Sequence, residues 1–188
     1  MQKDTIWGPI QTSESIAPGI RRVSTASHGG YLVSEERLRD MPAAFPQGAG
    51  GAFEEDCAWC FVVLSFPGNF SHDHYNEAIR TCKNWFPREY EAWTHTTLSI
   101  EESSAKRTEA WYQEHTQNWM VICAWGDWHQ DVPKGSVGVH ARQGGRQGRE
   151  GTPDQYFLVP AEEYRGAQTQ FIVDPTRHRR IDPITRTA

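Results

Sequence analysis

Hydrophobic and polar positions fall into three regimes along the chain. Near the N-terminus, Ile20 to Ser27 reads as a strand and Tyr31-Leu32-Val33 as its short partner. His28-Gly29-Gly30 is expected to form the turn between them, because glycine adopts positive φ without steric cost. Ser34 ahead of Glu35-Glu36-Arg37 predicts an N-capped helix with acidic residues near the positive end of its dipole. That helix ends near Met41, before Pro42.

The middle of the chain carries a helical period. Asp56 to Phe66 is continuously apolar after an acidic start. Its length favours a buried helix, while the β-branched Val62-Val63 leaves a strand as the alternative. Ser71 caps a helix to Phe86 in which Tyr75, Ala78, Ile79, Cys82 and Trp85-Phe86 fall at helical spacing. Pro87 restarts a shorter helix through Trp93, and another runs from Ser99 or Ile100 to about His115.

Beyond that point the period becomes two. Trp119–Trp125, Ser136–Ala141, Tyr156–Val159 and Gln170–Val173 read as strands separated by Gly- and Pro-bearing connections. The expected fold is α+β: an N-terminal β-hairpin, central helices and a C-terminal antiparallel sheet of about four strands. Residues 1–188 are read as one globular domain with flexible ends at 1–8 and 177–188. Arg142 to Pro153, rich in Gly, Gln and Arg, is read as a mobile hairpin loop.

Composition narrows the function classes. The chain has 188 residues, a formal net charge of −5 and 8 Trp, 8 Phe and 6 Tyr, so aromatics compensate for few aliphatics in building a core. Residues 1–105 hold 14 acidic and 8 basic residues, whereas residues 106–188 are close to balance. An acidic chain without a basic face disfavours direct nucleic-acid binding. No apolar run reaches membrane-spanning length, and the first residues lack the pattern of a secretory signal, so a cytoplasmic location is expected. Four cysteines are then expected to be reduced.

The densest polar segment is Ser24-Thr25-Ala26-Ser27-His28-Gly29-Gly30, followed by Glu54-Glu55-Asp56. Glycine N–H groups with nearby hydroxyls can form an anion nest, and His28 can act as acid, base or phosphate contact. A carboxylate from the later cluster can orient that imidazole. The opposing reading is a satisfied hairpin whose Ser and His side chains bond local backbone. Cys57-Ala58-Trp59-Cys60 matches the spacing of a metal or redox pair, but a second pair for zinc is missing and cysteine is a good small core residue. No metal or cofactor is expected. His72-Asp73-His74 reads as polar decoration of a helix start. Trp125-Gly126-Asp127-Trp128 ends a strand, either as an exposed contact surface or as the closure of a core.

Taken in order, Trp7-Gly8-Pro9, the Ser24–Gly30 segment, Glu54-Glu55-Asp56-Cys57, Trp125-Gly126-Asp127-Trp128, the run from Tyr156 to Tyr164 and Val173-Asp174-Pro175 carry a resemblance. The chain is similar to an uncharacterised domain family of proteobacterial genomes, plasmids and phages, with no assigned reaction. The resemblance implies an accessory protein of mobile elements. The first expectation is a non-enzymatic protein that binds a host protein or nucleoprotein complex with a basic surface, of the kind that inhibits a defence system such as CRISPR or restriction. Its contact residues would be Ser27, His28, Glu35, Glu36, Glu54, Glu55, Asp56, Trp125, Asp127 and Trp128. The alternative is a small enzyme acting on a nucleotide or phosphate substrate through His28 and a nearby carboxylate.

Overall fold

In a computed structural model that describes residues 5–149, 151–165 and 170–184, the elements alternate as strands, helices and strands again. The contacts divide the chain into two compact units, residues 1–107 and 108–188, where the sequence suggests one.

The N-terminal unit opens with a four-stranded antiparallel sheet in meander order: β1 (Thr12–Ala17), β2 (Ile20–Ser24), β3 (Gly29–Val33) and β4 (Ala52–Glu54). The predicted β2–β3 pair is present, but its turn is not His28-Gly29-Gly30. The reversal spans Thr25 to His28, closed by the Thr25 N–H donating to the His28 carbonyl at 2.7 Å, and both glycines lie inside β3. Their presence there has a steric reason. Gly30 has φ of 153°, and a Cβ on it would collide with the Phe53 carbonyl and crowd the Trp7 ring.

Helix α1 (Glu35–Asp40) is capped by Ser34, whose hydroxyl accepts from the Arg37 N–H. Its successor α2 (Trp59–Ser65) has Cys60, Phe61, Val62, Val63 and Leu64 buried. A helix apolar on every side must be enclosed, which settles the helix-or-strand alternative for this segment. The acidic residues 54–56 precede α2 instead of starting it. Ser71 caps α3 (His72–Trp85), Pro87 opens α4 (Pro87–Thr94), and His95 ends α4 in the left-handed conformation at φ 56°. The core packs Ile20, Tyr31, Val33 and Phe53 of the sheet against α2 and against Ala78 and Cys82 of α3. Each fully buried large apolar side chain contributes about 1.5–3 kcal/mol.

The unit boundary falls within α5 (Ser104–Glu114). The C-terminal unit holds a five-stranded antiparallel sheet of β5 (Trp119–Trp125), β6 (Ser136–Gln143), β7 (Gln155–Pro160), β8 (Ile172–Val173) and β9 (Arg179–Ile181), in the order β8-β5-β6-β7-β9. A short helix, α6 (Ala161–Tyr164), follows β7. Alternating residues on one face (Val121, Val139, Ala141, Phe157, Val159) form its main core, and Val132, Leu158 and Ile184 form a smaller one. The segment expected to be a flexible C-terminal end instead supplies β9, paired with β7, and the buried Ile184; residues 185–188 lie outside the described residues, as do 1–4. Within the expected loop 142–153, β6 continues to Gln143 and a 3-10 turn spans Gly145–Gln147, while Glu150 lies outside the described residues.

Candidate functional site

Register decides which polar residues meet. Across the N-terminal sheet, Glu14 pairs with Arg22, Arg22 with Tyr31, and Tyr31 with Phe53. Cross-strand partners share a face, so an arginine stands in the same row as the core residues Tyr31 and Phe53. Because side chains alternate along a strand, Glu54 and the next residue, Glu55, leave on opposite faces.

His28 and Glu54 do converge: Nδ1 lies 3.1 Å from Oε1, with the two side chains 47% and 39% exposed. The hydroxyls around them are engaged locally. Ser24 Oγ and Thr12 Oγ1 lie 2.6 Å apart, and Thr25 Oγ1 both donates to the His28 carbonyl and accepts its N–H. Those contacts describe a hairpin tied down by its own side chains.

Glu55 lies on the other face, beside Gly29, whose missing Cβ makes room for its carboxylate. There it helps line a cleft of about 220 Å³ with Arg22, Tyr31, Trp59, His74 and Glu77. An adjoining hollow of about 330 Å³, lined by Thr12, Ser13, Glu14 and Ser24, shares Arg22 and Glu55 with it.

The first turn of α3 positions His74. Its N–H bonds the capping Ser71 hydroxyl at 3.2 Å, which fixes where the side chain leaves the helix. The imidazole stacks on the Trp59 indole, with centroids 4.7 Å apart and planes 18° apart. Its Nε2 lies 3.3 Å from the Tyr31 hydroxyl and its Nδ1 3.7 Å from a Glu77 carboxylate oxygen. Burial pushes the Tyr31 phenol up more than nearby Arg22 lowers it, with Glu14 adding to the rise. The phenol therefore keeps its proton beside Nε2. The Arg22 guanidinium has no ion pair or side-chain hydrogen bond among the described residues, and the residue stands exposed at the rim.

This constellation is not the one the sequence singled out. His74 reads from sequence as cap decoration, and Tyr31, Trp59, Arg22 and Glu77 carry no motif. The available signal was Arg22: it occupies the same strand parity as buried Ile20, where a hydrophobic residue would be expected.

The remaining expected positions are dispersed. Ser27, Glu35, Glu36 and Asp56 are exposed, Glu35 and Glu36 in the first turn of α1. Trp125 is half-buried and packs toward Tyr156, with centroids 6.3 Å apart, which closes a core. Asp127 accepts the Gly135 N–H at 3.3 Å, and Trp128 is 74% exposed. Of the cysteine pair, Cys60 is fully buried, its thiol pushed far up by a hydrogen bond with Cys82 and by burial. Cys57 is raised too, by burial and by Asp56 and Glu54. Both shifts run opposite to an activated redox thiol.

No curated protein and no solved structure matches the chain. A family model does, over residues 1–116, a range that contains the whole Arg22–Glu77 cleft and leaves the motifs after Trp119 outside it. The chain belongs to the DUF7007 family, a domain of unknown function.

Proposed function

We propose that the N-terminal unit binds a small polar ligand in the Arg22–Tyr31–Trp59–His74 cleft and moves a proton on it through His74. The observation that carries this reading is the imidazole itself. It is held in one plane by Trp59, tied to a protonated phenol on one nitrogen and faced by a carboxylate on the other. Convergence of such groups at the edge of a cleft is how acid–base sites are recognised. Three carboxylates (Glu14, Glu55, Glu77) stand against one guanidinium in the two hollows. That balance turns the cleft away from phosphate-rich nucleotides and toward neutral or zwitterionic polar compounds, whose single anionic group Arg22 would take. Thermal shift against a panel of sugars, amino acids and mononucleotides tests it. A ligand that stabilises the wild type but neither Arg22→Ala nor His74→Ala supports it. Stabilisation by nucleotides alone, or stabilisation unaffected by both variants, overturns it.

A second reading is favoured by Trp128, which is 74% exposed beside the Gly126-Asp127 turn. An exposed tryptophan beside a turn can serve as the anchor of a protein interface. In this reading the chain is an accessory protein of phages or plasmids that docks on a host protein with a basic surface, Glu35, Glu36 and Asp56 assisting encounter. Cytoplasmic residence and inhibition of a defence system such as CRISPR or restriction belong to this reading. Trp128→Ala that leaves capture of host proteins and any inhibition unchanged overturns it.

A further inference from the structure

The two hollows of the N-terminal unit have two lining residues in common, Arg22 and Glu55, and these are opposite in charge. Register brings them to one face. Arg22 stands opposite Tyr31, Tyr31 opposite Phe53, and Glu55 lies two positions beyond Phe53, on the same side of the sheet. The Glu55 N–H donates to the Gly29 carbonyl at 2.9 Å, which carries the β3–β4 pairing one residue past β4. Ser24, Gly29 and Glu55 thus form the row next to Arg22, Tyr31 and Phe53.

Gly29 leaves the middle of that row without a side chain, and the Glu55 carboxylate uses the space: a Cβ on Gly29 would lie 2.3 Å from Glu55 Oε2. The carboxylate therefore leans over β3, the strand that separates it from Arg22. Strands β2 and β4 are two strand spacings apart, about 10 Å. Neither charged side chain has an ion pair or side-chain hydrogen bond among the described residues. A guanidinium and a carboxylate that border the same hollows without closing on each other leave a gap with a positive end and a negative end. The surrounding charge sets its preference. Glu14, directly across from Arg22, borders the larger hollow, and Glu77 borders the smaller cleft. A ligand that is only an anion meets three carboxylates, and a neutral polyol leaves their excess charge uncompensated. One ammonium and one carboxylate on the same molecule answer both ends of the gap.

We propose that the compound held in the cleft is a free amino acid, its carboxylate on Arg22 and its ammonium on Glu55, an inference that rests on the cleft being a ligand site. The head group sits at the junction of the hollows of about 330 and 220 Å³, and the side chain enters the smaller one, toward Trp59 and His74. Arginine takes a carboxylate through two parallel N–H donors, and the Glu55 carboxylate accepts from the ammonium, so both contacts are charge-assisted. A compound lacking either group loses one of them.

Calorimetric titration of the full chain with the common free amino acids, and with glucose and ribose as neutral polyols, tests the assignment. At least one amino acid should bind saturably. Its amide and its N-acetyl derivative should each bind about tenfold more weakly or worse, the scale of one charge-assisted bond. Glu55→Gln should remove the preference over the N-acetyl form and keep the preference over the amide, and Arg22→Gln should do the reverse. Both positions are exposed, and the two derivatives test the same contacts on the unaltered chain. An amino acid bound no better than its amide and N-acetyl form overturns the assignment. Binding of a sugar that is lost in His74→Ala, with no amino acid bound, also overturns it and leaves the cleft standing as a ligand site. No binding by either class of compound overturns the assignment together with the reading it rests on.

Discussion

The Tyr31 hydroxyl and the His74 Nε2 meet at 3.3 Å although 43 residues separate them along the chain. Packing of α3 on the sheet makes that contact, and the chemistry proposed for the N-terminal unit depends on it. Tyr31→Phe keeps the edge-on packing against Phe70, at 5.6 Å and 75°, and loses only the bond. The expected cost is about 1 kcal/mol by urea denaturation. In the same variant, ring nitrogen shifts in NMR should show a changed balance between the two neutral His74 tautomers.

The two glycines of β3 should respond differently to alanine. At Gly30 the obstacle is the Phe53 backbone and φ is 153°, so neither side can yield. The expected loss is about 2–4 kcal/mol by denaturation. At Gly29 the first obstacle is the end of the Glu55 side chain, which can swing away. Gly29→Ala should therefore be milder and should weaken ligand binding in the cleft by displacing Glu55.

Thiol accessibility separates the four cysteines. Cys60 and Cys82 are fully buried in the α2–α3 contact, and Cys60 is raised well beyond the ordinary thiol range. Native protein treated with maleimide should be modified at Cys57 and Cys123 only, and Cys60 and Cys82 should become reactive with unfolding in urea. Early modification of Cys60 would contradict this packing.

Asp154 ties the end of the 144–153 connection to β6. Its carboxyl is held below the usual carboxylate range, first by the Arg142 hydrogen bond. A depressed folded pKa stabilises above the unfolded value and loses that contribution as pH falls through the folded one. Asp154→Asn should thus cost about 0.5–1 kcal/mol at pH 7, the scale of a partly exposed pair. The difference from wild type should be complete above about pH 4 and disappear in stronger acid.

Most helices were legible because each carries a local signal. Ser34 and Ser71 are capping hydroxyls, Pro87 is a first-turn proline, and α3 has apolar residues at helical spacing. The strands at Ile20, Trp119, Ser136 and Tyr156 were legible from their apolar runs. Three strands were not. β1 reads Thr-Ser-Glu-Ser-Ile-Ala at a sheet edge and buries too little to show alternation. β4 is three residues long after a glycine-rich run, and β9 begins Arg-Arg. All three are placed by pairing with a neighbour. The site follows the same division. Sequence drew attention to His28 and Glu54, and the fold joins them, but register sends Glu55 to the opposite face. His74 could not be distinguished from a cap because its role depends on Trp59 and Tyr31, both brought in by tertiary packing.

The most direct measurement is a proton–nitrogen NMR titration of the full chain with neutral and zwitterionic polar compounds, following the Trp59 indole, the His74 ring and the backbone of Arg22 and Tyr31. The expected result is a saturable shift of these signals together by at least one compound, abolished in His74→Ala. Saturable shifts confined to other residues, or none in the Trp59–His74 pair with any compound, would contradict a ligand site in this cleft.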